Sequence, residues 1–308
     1  MSAVKKIIWT ICIALLAAAC AVMCKNIFSC RIPIHNRGID AVTKAGDLRV
    51  LFIGSSTFRS NLDIDLLDEA FDDRAYILAY GGNQYIACDI QYDELKERSD
   101  HTTDLLVLEF DPLLLTEEVK LSDSRVIWDL SWNGKKRLWE KMADSGNADF
   151  DLFFEYFVSA GMDDLITYPV TEPFYATRYN KGAKTGETPS SGKAYLENEP
   201  FDISEVKPVS AQEEALFDLI AKCETDRQNY VLLESPHYHR LQEDPVYVKY
   251  HAQFEALLKE KNVPCIFAED VNFDDHEAAY YEDMGHMSSE GRRVYTQELI
   301  PLLMNRQR

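Results

Sequence analysis

The chain has 308 residues, 46% of them hydrophobic and 27% charged, which is the balance of a folded globular protein and enough length for one large domain or two modest ones. A formal net charge of −20 excludes a nucleic-acid-binding surface, because phosphate neutralisation needs clustered Lys and Arg. The 7 cysteines include no CxxC pair and suggest neither a disulfide framework nor structural zinc.

Lys5-Lys6 precede an uncharged, mostly apolar run from Ile7 to Met23 that continues through Cys24. That length reaches the lower limit for crossing a bilayer, roughly 17–25 residues. Residues 1–24 are therefore expected to form a transmembrane signal-anchor, with the lysines inside and the remainder exported. Two alternatives stay open. One is a cleaved signal peptide, although no clear A-x-A site follows; the other is a lipoprotein signal, since Ala17-Ala18-Ala19 precede Cys20. Residues 25–46, with mixed charge and Pro33, suit a juxtamembrane linker, which leaves 47–308 as the folded domain.

The domain opens on Leu48-Arg49-Val50-Leu51-Phe52-Ile53, which ends at Gly54-Ser55-Ser56. A short apolar run closed by turn formers predicts a buried strand. A helix is expected over 62–71, a second strand over 75–80 ending at Gly81-Gly82-Asn83, a helix over 85–98, and a third strand over 104–110 ending at Asp111-Pro112. The repeated strand–turn–helix pattern implies a parallel sheet covered on both faces. The pattern breaks at 113–210, which reads as an insert. Its first part, 113–176, is rich in Trp and Phe, with helical stretches near 123–143 and 149–161 and a candidate role in shaping the site. Residues 177–210 read as a long loop. The core pattern resumes with a helix over 211–224, a strand over 230–235, a helix over 247–261, a strand over 263–268 and a closing helix over 292–303. The fold class is α/β: a three-layer sandwich with a five-stranded, mainly parallel sheet, flavodoxin-like, preceded by the transmembrane helix.

In such a sheet every strand delivers its C-terminal loop to one rim, where open α/β sheets bind ligands. Ser56 sits on that rim. A serine hydroxyl is a weak nucleophile until an imidazole takes its proton, and the imidazole is best oriented by a carboxylate. Asp283-Met284-Gly285-His286 supplies both on one turn before the last helix. Ser55 and Ser56 could alternatively cap the helix that follows them. Arg59 could meet an anionic substrate group or be exposed. His237-Tyr238-His239 could present two imidazoles to a metal, but no acidic or Cys set completes it in sequence, so no metal and no cofactor is expected; either histidine could instead touch substrate at the rim.

In order along the chain, these residues resemble the SGNH/GDSL hydrolase superfamily. Gly54-Ser55-Ser56-Thr57 matches its first block with serine in place of the usual aspartate, Gly82 matches the second, and Asp283 and His286 match the last, with a similar tail at Met287-Ser288-Ser289-Glu290-Gly291. The first-block variant looks like the membrane-anchored, DltD-like branch. The resemblance implies that Ser56 is the nucleophile, His286 the general base and Asp283 its orienter, with the N–H groups of Ser56 and Gly82 forming an oxyanion hole. The third-block asparagine is missing, and Glu109-Phe110-Asp111-Pro112 stands there; Asn83 is the alternative side-chain donor. The implied function is a serine acyl-esterase or O-acyltransferase on the extracytoplasmic side of the cell membrane, acting on an envelope glycan or teichoic-acid-like polymer with a membrane-bound O-acyltransferase as partner. The rival is a non-catalytic binding or assembly subunit of the same kind of system. A freely secreted lipase-like esterase is opposed by the anchor.

Overall fold

Successive residues of β1, Leu48–Gly54, point to opposite faces, and both faces are apolar. Leu51 and Ile53 join one core cluster, while Val50 and Phe52 join the other. β1 is therefore central in a sheet buried on both sides, and the helices must divide between two layers. In the computed structural model, which describes residues 3–29, 38–120, 125–146 and 179–307, the elements that follow do this. Before β1 come α1, Ala3–Ser29, and α2, Ile39–Ala45; after it come α3, Ser56–Asn61, α4, Ile64–Ala70, β2, Ala75–Ala79, α5, Tyr85–Arg98, and β3, Thr103–Phe110. Then follow α6, Arg125–Asp129, α7, Trp132–Asp144, β4, Tyr179–Asn180, β5, Ala183–Lys184, α8, Lys193–Leu196, and α9, Ser210–Thr225. The chain ends with β6, Tyr230–Glu234, α10, His239–Gln242, α11, Pro245–Glu260, β7, Cys265–Ile266, and α12, Ser289–Arg306.

The sheet has five strands in the order β2-β1-β3-β6-β7, with every neighbouring pair parallel. The α/β class and the five parallel strands agree with the sequence. β7 is shorter than expected, because the chain enters a 3-10 turn at Ala268–Asp270. The helix expected over 62–71 is α4, and a separate short helix, α3, precedes it. Leu62 is extended, and Asp63 caps α4 by accepting from the N–H groups of Asp65 and Leu66, so Ser56 itself begins a helix. Helices α5, α9, α11 and α12 lie within a few residues of their expected ranges. The helix expected over 149–161 lies outside the described residues.

Residues 179–199 hold more structure than a loop. The hairpin β4–β5 caps the sheet at its β2 edge, where Ile77 N–H donates to Lys181 O at 2.9 Å. Lys181 Nζ reaches Asp68 Oδ1 at 2.8 Å and Asp73 Oδ1 at 2.6 Å. A covered edge cannot template pairing with another chain. In α1, Ile7, Ile8, Trp9, Ile11, Ile13, Leu15 and Leu16 are all exposed. Among the described residues no helix is long and apolar enough to cross a membrane.

Gly182 has φ 87°, and a Cβ there would run into Ile77 O, whereas Gly186 has the same φ with nothing within 4 Å of its Cβ position. Gly182→Ala is expected to break the edge cover and cost about 1–3 kcal/mol more than Gly186→Ala. Thermal unfolding of both variants checks this, and equal loss in the two would rule out the edge contact as its cause.

Candidate active site

β1 ends at Gly54 and the chain turns directly into α3. Ser55 is the N-cap: its Oγ accepts from Thr57 N–H at 3.2 Å and donates to Glu109 Oε1 at 2.9 Å. Ser55 is buried and engaged, while Ser56, the first helical residue, is half-buried. Ser56 Oγ lies 2.9 Å from His286 Nε2. His286 Nδ1 lies 2.8 Å from Asp283 Oδ2 and 3.0 Å from Oδ1. The three residues thus form one line of hydrogen bonds, serine to imidazole to carboxylate.

The turn that carries the pair is fixed from several sides. Asp283 Oδ1 accepts from the N–H groups of Gly285 at 2.9 Å and His286 at 2.8 Å. Burial alone would raise the Asp283 carboxyl; the hydrogen bond and charge of His286, with those two N–H groups, outweigh it and hold the carboxyl below its usual range. An antiparallel bridge between Tyr281 and Met287 closes the turn. Asn61, at the end of α3, clamps it: its Nδ2 donates to Gly285 O at 3.0 Å, and its Oδ1 accepts from Met287 N–H at 2.8 Å. Asn61 is fully buried. Sequence reasoning missed it, since a polar residue after a short helix carries no signal of a partner more than two hundred residues away.

The second loop lies beside the nucleophile turn. Tyr80 N–H donates to Gly54 O at 3.4 Å, and Gly82 takes the left-handed region at φ 59°. Asn83 does not fit the donor role proposed for it. Its Nδ2 is already engaged by Gly54 O at 3.1 Å and Gln91 Oε1 at 3.0 Å, with Cys88 Sγ at 3.3 Å. Both amide hydrogens are spent on bracing the turn. Arg59 is half-buried on α3, one turn after Ser56 and on the same side of the helix.

His237 is not at an open rim. It is buried, its Nε2 lies 3.2 Å from Asp111 Oδ2, and its ring meets Tyr247 edge-on. A Cβ at Gly285 would lie 3.4 Å from its Nδ1, so the buried imidazole packs against the Asp283–His286 turn. Burial would lower its pKa, but the charge and hydrogen bond of Asp111 outweigh this and raise it. His237 and His239 also do not face a common metal: His239 points instead toward Glu197 and Glu243.

Beneath the turn lies Glu109, fully enclosed. One oxygen accepts from Ser55 Oγ and the other from Ser55 N–H. Burial pushes its carboxyl up to about 7, against the lowering effect of the Ser55 N–H, with Asp111 adding to the rise. The signal for Glu109 was present in sequence, as a charge inside the buried run of β3. An acid whose folded pKa lies above its unfolded value contributes stability that is complete below the unfolded pKa and is lost as pH rises through the folded one. Glu109→Gln keeps the shape and cannot ionise. The stability difference between wild type and Glu109→Gln should therefore move in favour of the variant between pH 5 and pH 8, by up to about 3 kcal/mol. Denaturant unfolding at the two pH values measures it, and a difference that does not change with pH would remove Glu109 as the titrating group.

No family model and no curated protein matches the chain. Among solved structures it is similar to a proposed acylhydrolase from Bacteroides fragilis NCTC 9343, at 10% identity over 87% of this chain and 94% of that one, with a TM-score of 0.43. It is also similar to an acetylxylan esterase from Geobacillus stearothermophilus, solved as a catalytic mutant, at 12% identity over 84% of this chain and 95% of that one, with a TM-score of 0.40. At this distance the likenesses carry no inference about chemistry, and the site is read from its own geometry.

Proposed function

We propose that the protein is a serine acyl-esterase or O-acyltransferase that works through an acyl-Ser56 intermediate, in the manner of the SGNH hydrolases. The observation that carries this is the hydrogen-bonded line from Ser56 Oγ through His286 to Asp283. With Nδ1–H donating to Asp283, His286 presents a lone pair at Nε2 to the serine hydroxyl. His286 takes the Ser56 proton as Oγ attacks the acyl carbonyl, and Asp283 stabilises the imidazolium that results. Collapse of the tetrahedral intermediate expels the alcohol, which leaves with the proton from Nε2. Water or an acceptor hydroxyl then attacks the acyl-serine, with His286 again as base.

The backbone N–H groups of Ser56 and Gly82 are assigned to the oxyanion. Each donor in such a hole is worth about 3–4 kcal/mol. The location is proposed as extracytoplasmic, with α1 as a single-pass anchor. This rests on the uncharged run after Lys5-Lys6 and on the exposed apolar side chains of α1. The substrate is proposed as an acylated envelope glycan or teichoic-acid-like polymer, the DltD-like assignment, with Arg59 meeting an anionic group of it.

One observation favours a second reading, a non-catalytic subunit that retains the fold. The engaged amide of Asn83 and the missing third-block asparagine leave the hole without a side-chain donor. Labelling of the full-length, detergent-solubilised protein with a fluorophosphonate separates the two. The active reading expects label on Ser56, none in Ser56→Ala, and a rate at least about a hundredfold lower in His286→Ala. Equal labelling of folded wild type and Ser56→Ala would sink the assignment.

A further inference from the structure

Apart from Ser56, a second group of side chains converges on the outer side of the 237–239 segment. His239 begins α10, and Glu243 follows four residues later on the same face. His276 arrives from the acidic loop ahead of the Asp283–His286 turn, and its ring stacks on that of His239, with centroids 4.1 Å apart. Glu243 lies between them: its Oε2 is 3.5 Å from His239 Nδ1, and its Oε1 is 3.4 Å from His276 Nε2. One donor atom from each of the three residues falls within 4.8 Å of the others.

Each spacing, one to either oxygen of Glu243, is near the ligand–ligand separation around tetrahedral zinc, about 3.3–3.4 Å when each ligand lies about 2.0–2.1 Å from the ion. The far side of His239 carries the second requirement. Its Nε2 is 3.4 Å from Glu197 Oε1, and Tyr238 Oη donates to the same oxygen at 2.8 Å. A metal-bound imidazole characteristically donates its other N–H to a carboxylate, which fixes the tautomer that leaves Nδ1 free to bind. Asp275 Oδ1, 3.8 Å from His276 Nε2, is within reach of the remaining position. We propose that His239, Glu243 and His276 form a binding site for one divalent transition-metal ion, with zinc the best match to two imidazoles and a carboxylate. Magnesium and calcium prefer all-oxygen sets. The rings are nearly parallel, at 15°, so binding turns the exposed His276 out of the stack. The ion would tie α10 to the 271–277 loop and steady the segment that precedes the catalytic turn, whatever chemistry Ser56 performs.

The test uses the full-length chain in detergent, stripped with a chelator, reduced, and titrated with zinc chloride against a fluorescent zinc indicator. Wild type is expected to bind one zinc that magnesium does not displace, with a rise in Tm of about 5 °C at a hundredfold excess over Kd. His276→Ala, at an exposed position, is expected to weaken that zinc at least tenfold and to abolish the rise, and Glu243→Gln to weaken it as well. His251→Ala and His286→Ala, which alter the histidine–carboxylate pairs with Glu234 and Asp283 elsewhere in the fold, should bind as wild type. Zinc held by the thiols of Cys12 or Cys20 would be equal in wild type and His276→Ala, and so would not be mistaken for the site. Wild-type binding retained in His276→Ala, or no stoichiometric zinc at all, would overturn the proposal.

Discussion

A hydrogen bond between side chains 230 residues apart, Ser56 to His286, demands that both ends be held more stiffly than the bond itself can hold them. The worth of a single hydrogen bond, about 0.5–1.5 kcal/mol, is too small to order a turn. The stiffness comes from Asn61. It lies on the same short helix as Ser56 and accepts from and donates to the backbone of the opposite turn. Serine and histidine are thereby referred to one rigid body, α3 with its clamp, and not to two independent loops. The bridge between Tyr281 and Met287 and the Asp283 side chain then leave the imidazole little freedom. Preorganisation of this kind is what a catalytic hydrogen-bond line requires.

The same turn rests on buried charge, which is costly unless partnered. Glu109 is satisfied by both polar groups of Ser55, Asp111 by Leu113 N–H and His237, and Glu234 by Tyr247, His251 and the Ala268 N–H. The network runs along the carboxyl ends of β3 and β6. Glu109 points inward there, toward Ser55. There it locks Ser55, the cap residue of α3, from below.

Much of this was legible from local pattern. The strands that form the sheet are apolar runs closed by turn formers, and a parallel sheet forces their loops to one rim, so Ser56, Gly82 and the Asp283–His286 turn could be expected together before any coordinates. What was not legible depended on partners distant in sequence. The roles of Asn61 and Glu109 exist only once α3, β3 and the last turn are in place. His237 looked like a rim residue because it follows β6; it turns inward because Asp111, on the neighbouring strand's loop, offers a buried carboxylate. His239 looked incomplete as a ligand because its companions, Glu243 and His276, arrive by a helical turn and by a loop that composition marks only as acidic.

The segment read as a long loop shows why low periodicity is a poor guide to order. β4 and β5 have two residues each, too short for any alternation to register. The segment is held instead by polar contacts to the chain around the Asp283–His286 turn. Lys184 pairs with Glu282 at 2.7 Å, Arg292 donates to Lys184 O and Gly186 O, Thr188 N–H donates to Ser289 Oγ, and Ser190 Oγ donates to Ala278 O. Each contact is specific in position and almost invisible in composition. Through them the insert reaches both sides of the Asp283–His286 turn, with the sheet edge at its other end. The chain flanking the Asp283–His286 turn is therefore tied to a segment that reads from sequence as a long loop, and that segment is anchored in turn at the β2 edge.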